Sequence, residues 1–413
     1  MELYNNHSYD FKNVAGIDTT KLFTDSDNDN IFKELKLHQK VSVHKENTYN
    51  IVRYDKQKLN PENYNTSGLF RSIIHKDGNI VCFAPPKSMN HTSFQNEVDL
   101  TTNLSIEEYV EGTMINVFWS GTEWEIATRS SVGGNVSFFV NNVKKTFRQM
   151  FLETVDYNET QSGNDTDKDF FKCIENIPHD TSLTFVMQHP DNRIVVPFTT
   201  PKLYLVKAYN ISKEFLISEV KLSCVASFLP GWVMYPDKSQ YSCDEIEMIL
   251  KNGTLQLDYM KVGIMIAGIH KNTGKLVRTK IRNPNYEYVR ELRGNQPKLP
   301  YRYLMLRQEH KVSEYLKYYP EHKDLFKQYR EKVHDFTHKL YKQYVSCFVY
   351  KQKKLGLYSQ QYRTHMYKLH GLFITDKTNK INMSRVVEYV NGLHPSLLLH
   401  SLNYEFKSSQ MNT

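Results

Sequence analysis

The hydrophobic period of the chain changes once, near Leu304, and that change limits the possible folds more than any other feature. Ahead of it, apolar residues alternate in short runs closed by turns, the pattern of half-buried strands. Beyond it they recur every three or four residues, the pattern of amphipathic helices. Leu325, Tyr329, Val333, Phe336, Leu340, Tyr344 and Cys347 keep this spacing, with Lys, Glu, His and Gln between them. They predict a long helix beginning soon after Pro320, then helices over 359–370, 384–391 and 395–402. A chain of 413 residues is long enough for two or three domains. The expected division is a polar lead-in over 1–45, a domain of strands and helices over 46–300, and an all-helical domain over 301–413.

Within the strand-rich part, the stretch 106–134 is the centre. Met114, Ile115, Val117 and Phe118 fill one run and Trp124, Ile126 and Ala127 the next, around a Ser120-Gly121-Thr122 turn: a β-hairpin. Strands are also expected over 49–54, 69–74, 79–83, 183–188, 203–210, 262–269 and 276–282. Lys76-Asp77-Gly78 and Lys271-Asn272-Thr273-Gly274 are the turns of two further hairpins. Val143, Phe147, Met150, Phe151 and Val155 predict one amphipathic helix, with Lys144, Lys145 and Arg148 on its other face. Residues 156–169 are polar and Gly-containing, and read as a surface insertion; a helix-bearing insert is expected over 211–257. A short helix is expected at 31–37.

Lys and Arg number 53 against 45 Asp and Glu, a net charge of +8. That balance favours acidic partners, nucleic acid foremost, over a merely basic surface only when other features agree. The 28 Tyr and 22 Phe supply rings that can stack on unpaired bases, although most rings of a globular chain belong to its core. The five cysteines are scattered and include no C-x-x-C pair, which argues for reduced thiols rather than zinc ligands or a disulfide frame. The N-terminus lacks a signal pattern, and the longest apolar run, 262–269, falls far short of the ~20 residues that span a bilayer. A cytoplasmic protein with no membrane partner is expected. The Asp/Asn cluster over 25–30 lacks the Gly and distant Glu of a calcium loop, and His334 and His338 lack a third ligand, so no metal site is expected.

Several segments together carry a family resemblance. Tyr109-Val110-Glu111-Gly112-Thr113 resembles the K-x-(D/E)-G signature of covalent nucleotidyltransferases, and Thr128-Arg129-Ser130-Ser131-Val132-Gly133 resembles the segment next in order in phage-type RNA ligases. Pro190-Asp191-Asn192-Arg193-Ile194-Val195 is similar to the ending of the third motif, Lys261-Val262-Gly263-Ile264-Met265 to the fourth, and Lys280-Ile281-Arg282 to the fifth, K-x-K. Arg71 and Pro85-Pro86-Lys87 are similar to an Arg-bearing strand and a Pro-plus-basic stretch of the same ligases. The Glu-Gly-Thr-Met-Ile-Asn and Gln-His-Pro-Asp-Asn-Arg strings also resemble ligase-like proteins of large DNA viruses. The resemblance implies an α+β fold: a nucleotidyltransferase (ATP-grasp-like ligase) domain of antiparallel sheets with flanking helices, then an all-α domain. It implies nucleotide or phosphate contacts from Arg71, Lys87, Gly112, Arg129, Lys280 and Arg282. Tyr209 is a candidate to stack on a base, and Gln188 or His189 to replace a missing ribose contact.

The sequence departs from the family at three places. Tyr109 stands where the family has its nucleophilic Lys, Val186 where the third motif has Glu, and Val262 where the fourth has Glu. Glu111 of the first motif is kept. Phenols and amines are of similar basicity, with unperturbed pKa values of ~10 and ~10.4, so basicity does not exclude Tyr109, but a rigid ring reaches differently. Without the two carboxylates, Mg²⁺ is poorly held. The first expectation is a pseudoenzyme that binds RNA or nucleotide. The second is an active RNA ligase or capping-type enzyme that takes ATP or GTP with Mg²⁺ and uses Tyr109 or another Lys, of which Lys87 is nearest. The third is a scaffold that binds a protein partner through the helical domain.

Overall fold

The computed structural model describes residues 4–24, 28–101, 104–137, 145–162, 170–296 and 298–404. It divides into two compact units, Met1–Tyr288 and Val289–Thr413.

The first unit is built from antiparallel strands: β1 (Tyr4–Asp10), β2 (Asn13–Val14), β3 (Ile17–Asp18), β4 (Leu37–His44), β5 (Asn47–Tyr54), β6 (Ile73–Lys76), β7 (Asn79–Phe83), β8 (Ser105–Glu108), β9 (Thr113–Trp119), β10 (Trp124–Thr128), β11 (Ser131–Val132), β12 (Thr181–Gln188), β13 (Lys202–Ile211), β14 (Leu216–Val220), β15 (Gly263–Ile269) and β16 (Leu276–Arg282). A seven-stranded sheet runs β1-β14-β13-β12-β9-β10-β11; a four-stranded sheet is β4-β5-β6-β7, and a three-stranded sheet is β16-β15-β8. The 106–134 hairpin is present as β9 and β10, with Trp119 opposite Trp124 and Asn116 opposite Ala127. Its β8 portion, however, pairs with β15 in the smaller sheet. Ile115, Val117, Leu183, Phe185 and Leu205 point from one face of the large sheet into a core closed by Phe151 and Phe170 from the helices Phe147–Ser162 and Phe170–Ile174. Ile264, Ile266 and Ile281 of the small sheet pack with Phe94 and Leu250 from the helices His91–Glu97 and Cys243–Asn252.

The second unit is helical, with α-helices at Leu299–Gln308, Val312–Tyr318, Lys323–Tyr344, Gln360–Thr375, Met383–Asn391 and Pro395–Leu402. The long helix buries Phe326, Val333, Phe336, Leu340 and Tyr344, so the apolar stripe opens at Phe326 rather than Leu325. His365 lies in this core and meets the Tyr389 and Ser401 hydroxyls, both at 2.8 Å. The arrangement is α+β with antiparallel sheets, flanking helices and a helical C-terminal unit, as expected from the sequence. Among the described residues, no helix is long and apolar enough to cross a membrane.

Four expectations need correction. Within the polar lead-in, residues 4–24 and 28–44 are built into the fold: β1 adds an edge strand to the large sheet, and Phe11, Val14, Leu22 and Phe23 are buried in its second core. Polar composition hid these few apolar anchors. The division between units falls at Tyr288, inside the helix Pro284–Arg293, rather than at 300. Arg71 is not on a strand but in the turn between the 3₁₀ segment Ser67–Leu69 and β6. The helix expected from 143 begins at Phe147 and continues through Ser162 into the expected insertion; Val143, Lys144 and residues 163–169 lie outside the described residues, as do residues 25–27 of the Asp/Asn cluster.

Candidate functional site

Residues 109–112 carry the chain from β8 of the small sheet to β9 of the large one. Two glycines make the crossing possible. Gly112 has φ 151°, and a Cβ there would lie 2.5 Å from the Met187 carbonyl oxygen. Gly263 has φ 143°, and a Cβ would lie 2.0 Å from the Ile281 carbonyl oxygen. Both are positions where backbone meets backbone, which only glycine permits. The Tyr109 amide donates to the Gly263 carbonyl at 3.0 Å, tying the crossing segment to β15.

Cations gather around Tyr109. Lys280 Nζ stands over its ring, 5.5 Å from the centroid. Lys280 shares one face of β16 with Arg278 and Arg282, because alternate residues of a strand point the same way, and Thr279 and Ile281 between them are buried. Lys87 Nζ lies 4.8 Å from the Tyr64 ring centroid and donates to the Ser88 carbonyl at 3.2 Å. Burial pushes the Lys87 amine down to about 8, and the nearby charges of Lys280, Arg71 and Arg282 push the same way. Arg71 is disfavoured as a cation by burial first and by Arg278 next. Arg278 donates to the Pro86 carbonyl at 2.7 Å. Arg129 sits 4.8 Å from the Tyr54 ring and donates to the Arg71 carbonyl at 3.2 Å, so the two arginines are tethered. Arg282 forms an ion pair with Glu287.

The structure thus brings Arg71, Lys87, Tyr109, Lys280 and Arg282 together, with Arg129 at their side. Arg278 and Tyr64 also belong to the group, and the sequence reading missed them. The signal was present in the alternation Arg278-x-Lys280-x-Arg282 on a single strand face.

Three candidates turn out to have structural work. Glu111 is only 6% exposed, and its carboxylate accepts the amides of Val195 at 3.0 Å and Val196 at 3.2 Å, as well as a bond from Tyr286. Burial raises its pKa, and these donors partly offset the rise. It fixes the loop after β12. Gln188 Nε2 donates to the Glu111 carbonyl at 3.0 Å and holds the same junction. Tyr209 is 1% exposed and packs edge-on against Phe83, with ring centroids 4.9 Å apart, so it cannot stack on a ligand. The alternating pattern of β13 placed it on the face that packs against Phe83 of β7 and the Tyr9 ring, and no local pattern announced that packing.

Val186 sits opposite Met114, and Val262 is buried, so neither position supplies an acid. Among the described residues, one group of three could hold a metal: Glu153, His189 and Asp191. Lys145 already bridges its two carboxylates, at 2.8 Å from each. His189 Nδ1 accepts the Asp191 amide at 3.1 Å, which leaves the ring proton on Nε2, facing Glu153 at 3.1 Å. The network is satisfied without a metal and anchors the start of the Phe147–Ser162 helix to the end of β12.

No family model matches the chain. Over 201 residues it is 25% identical to the immediate-early protein ICP-46 homolog of Invertebrate iridescent virus 3, a match covering 48% of this chain and 38% of that protein. The match thus spans well under half the length of that relative. Among solved structures, the chain is similar to a putative ATP-dependent DNA ligase from Aquifex aeolicus (TM-score 0.33, 12% identity, 84% of this chain and 79% of that one). It is also similar to an archaeal ATP-dependent RNA ligase (0.35, 11%, 75% and 72%) and to Naegleria gruberi RNA ligase with PPi (0.32, 10%, 51% and 65%). Superpositions this loose decide nothing about the site.

Proposed function

We propose that the first unit binds RNA or a nucleotide through the cations around Tyr109, and that position 109 carries out no nucleotidyl transfer. The supporting observation is that Lys280, Arg71 and Arg282 gather close enough around Lys87 to disfavour its charge, with Lys280 over the Tyr109 ring and Lys87 beside the Tyr64 ring. Gathering like charges in a half-buried site opposes folding, and an anionic ligand relieves that repulsion. Tyr64 and Tyr109 beside Lys87 and Lys280 add ring faces for bases. Valines at 186 and 262 leave no carboxylate to hold Mg²⁺ there.

The test is a titration of full-length protein with labelled single-stranded RNA at several salt concentrations. Binding that weakens with salt and drops several-fold in Lys280→Ala supports the reading. Binding that ignores both removes it.

A second reading rests on the Lys87 amine, held near 8 and so partly neutral at physiological pH. In it, Lys87 Nζ attacks the α-phosphorus of a nucleoside triphosphate, a P–N bond forms, the ammonium proton passes to solvent, and pyrophosphate leaves. Incubation with α-labelled ATP or GTP and Mg²⁺ or Mn²⁺, and then a denaturing gel, separates the readings. A labelled band lost in Lys87→Ala and kept in Tyr109→Phe establishes the second.

A further inference from the structure

A cavity of about 220 Å³ opens at the Arg278 end of the cation row. Arg278 and Lys87 are among the residues that line it. Leu69 and Val277 supply apolar surface, and Tyr64 and Tyr9 present aromatic rings. Asn13, Val14 and Ala15, from the N-terminal β2–β3 hairpin, close one side. Neither Tyr109 nor Lys280 lines this cavity, so it adjoins the site around Tyr109 and shares Lys87 with it. Its volume is below the about 300–1,000 Å³ of pockets that enclose a whole drug-sized ligand, which suits one nucleotide unit.

We propose that this cavity takes the base of a second nucleotide of the same strand, so that the site prefers a dinucleotide or longer single strand to a mononucleotide. The inference rests on the nucleic-acid reading given above. Its grounds are the combination of features. Arg278, Lys280 and Arg282 lie on one strand face at steps of about 6.6–6.8 Å, comparable to the step between phosphates of an extended strand. A cation row of this kind tracks a backbone. The Tyr64 ring, with Lys87 at 4.8 Å, lies in the cavity where the row ends, and a ring beside a cation is the usual platform for an unpaired base. The cavity lining carries three Lys or Arg residues (Lys87, Lys275 and Arg278) and a single carboxylate, Asp10. This charge balance admits a phosphate at the entrance.

The experiment is calorimetric titration of the full chain, at low salt, with 5′-phosphorylated mono-, di- and tetranucleotides of uridine and adenosine. An affinity step of about tenfold from mono- to dinucleotide is expected, the size that one added stacked base gives. Tyr64→Leu removes the ring and Val277→Phe fills the cavity. Each is expected to abolish the step, Val277→Phe with mononucleotide affinity unchanged, and thermal melts confirm the fold. Asp10→Asn retains an acceptor for the Lys12 amide and is expected to tighten dinucleotide binding. Equal affinity for all lengths, or a step that survives both cavity variants, overturns the inference while the nucleic-acid reading stands. No binding at any length, with Lys280→Ala indistinguishable from the parent, overturns both.

Discussion

Lys87 concentrates the electrostatics of the site in one side chain. Its amine is held at about 8 by burial and by Lys280, Arg71 and Arg282, so it is mostly charged at neutral pH and loses the proton a little above it. Anion affinity is therefore expected to fall as the pH rises from 7 to 9, and Lys87→Ala is expected to flatten that profile; dissociation constants measured across the range for both proteins decide it. Tyr109 makes a different prediction. Its ring face meets Lys280, and the proposed binding needs the face rather than the hydroxyl. Tyr109→Phe should bind RNA within about twofold of the parent, whereas Tyr109→Ala should lose the cation–π contact, about 0.5–1 kcal/mol. A phenylalanine variant as weak as the alanine one would show that the hydroxyl carries binding.

At the scale of elements, the crossing from β8 to β9 depends on backbone contact, and Gly263 is its tightest point. Gly263→Ala places a methyl against the Ile281 carbonyl at a φ that other residues rarely adopt. The strain alone costs about 1–3 kcal/mol, so a lower melting temperature and weaker RNA binding are expected together. Glu125 is the electrostatic counterpart. It is 2% exposed and joins β10 to His44 at 2.8 Å and to Arg148 of the Phe147–Ser162 helix. Burial alone would raise its pKa, but the Ile126 amide, Arg148 and His44 outweigh burial and hold it below the usual carboxylate range. A carboxylate depressed in the fold contributes stability above its unfolded pKa and loses it as the pH falls through the folded value. Acid melts of Glu125→Gln should show a smaller loss of stability below about pH 4.3 than the parent, from a starting point lowered by about 3–5 kcal/mol for the broken pair.

For the molecule as a whole, the net charge of +8 is less informative than where a few cations lie. Four of them, Lys87, Arg278, Lys280 and Arg282, line the proposed path. Single-strand binding loses about 0.7 of a logarithmic unit per neutralised phosphate for each tenfold rise in salt, so a slope of about 2 to 3 is expected. A slope near zero would place binding outside these cations. A slope well above 3 would show that further cations of the chain reach the strand.

Much of the element order was legible in the sequence, because a period of two and a period of 3.6 are local properties of side-chain placement on strands and helices. The β9–β10 hairpin, the β15–β16 hairpin, the long C-terminal helix and the cations Lys280 and Arg282 all come from that local code. Tyr109, Val186 and Val262 were likewise plain as departures from a resembled pattern. Tertiary structure decided the rest. The polar N-terminus becomes an edge strand because the large sheet offers β14 an unpaired side, a long-range contact that composition does not record. Phe83 of β7 and Tyr9 of β1 pack on Tyr209, while Glu111 accepts buried amides of the loop after β12 and Gln188 donates to the Glu111 carbonyl. Arg71 and Lys87, distant in sequence from Lys280, converge with it only when three sheets meet, and the field they make together belongs to no single segment. The sequence determined which elements form, because that is set within a few residues. Only the fold decided which polar groups face a ligand and which hold the backbone, because that depends on which distant surface covers each of them.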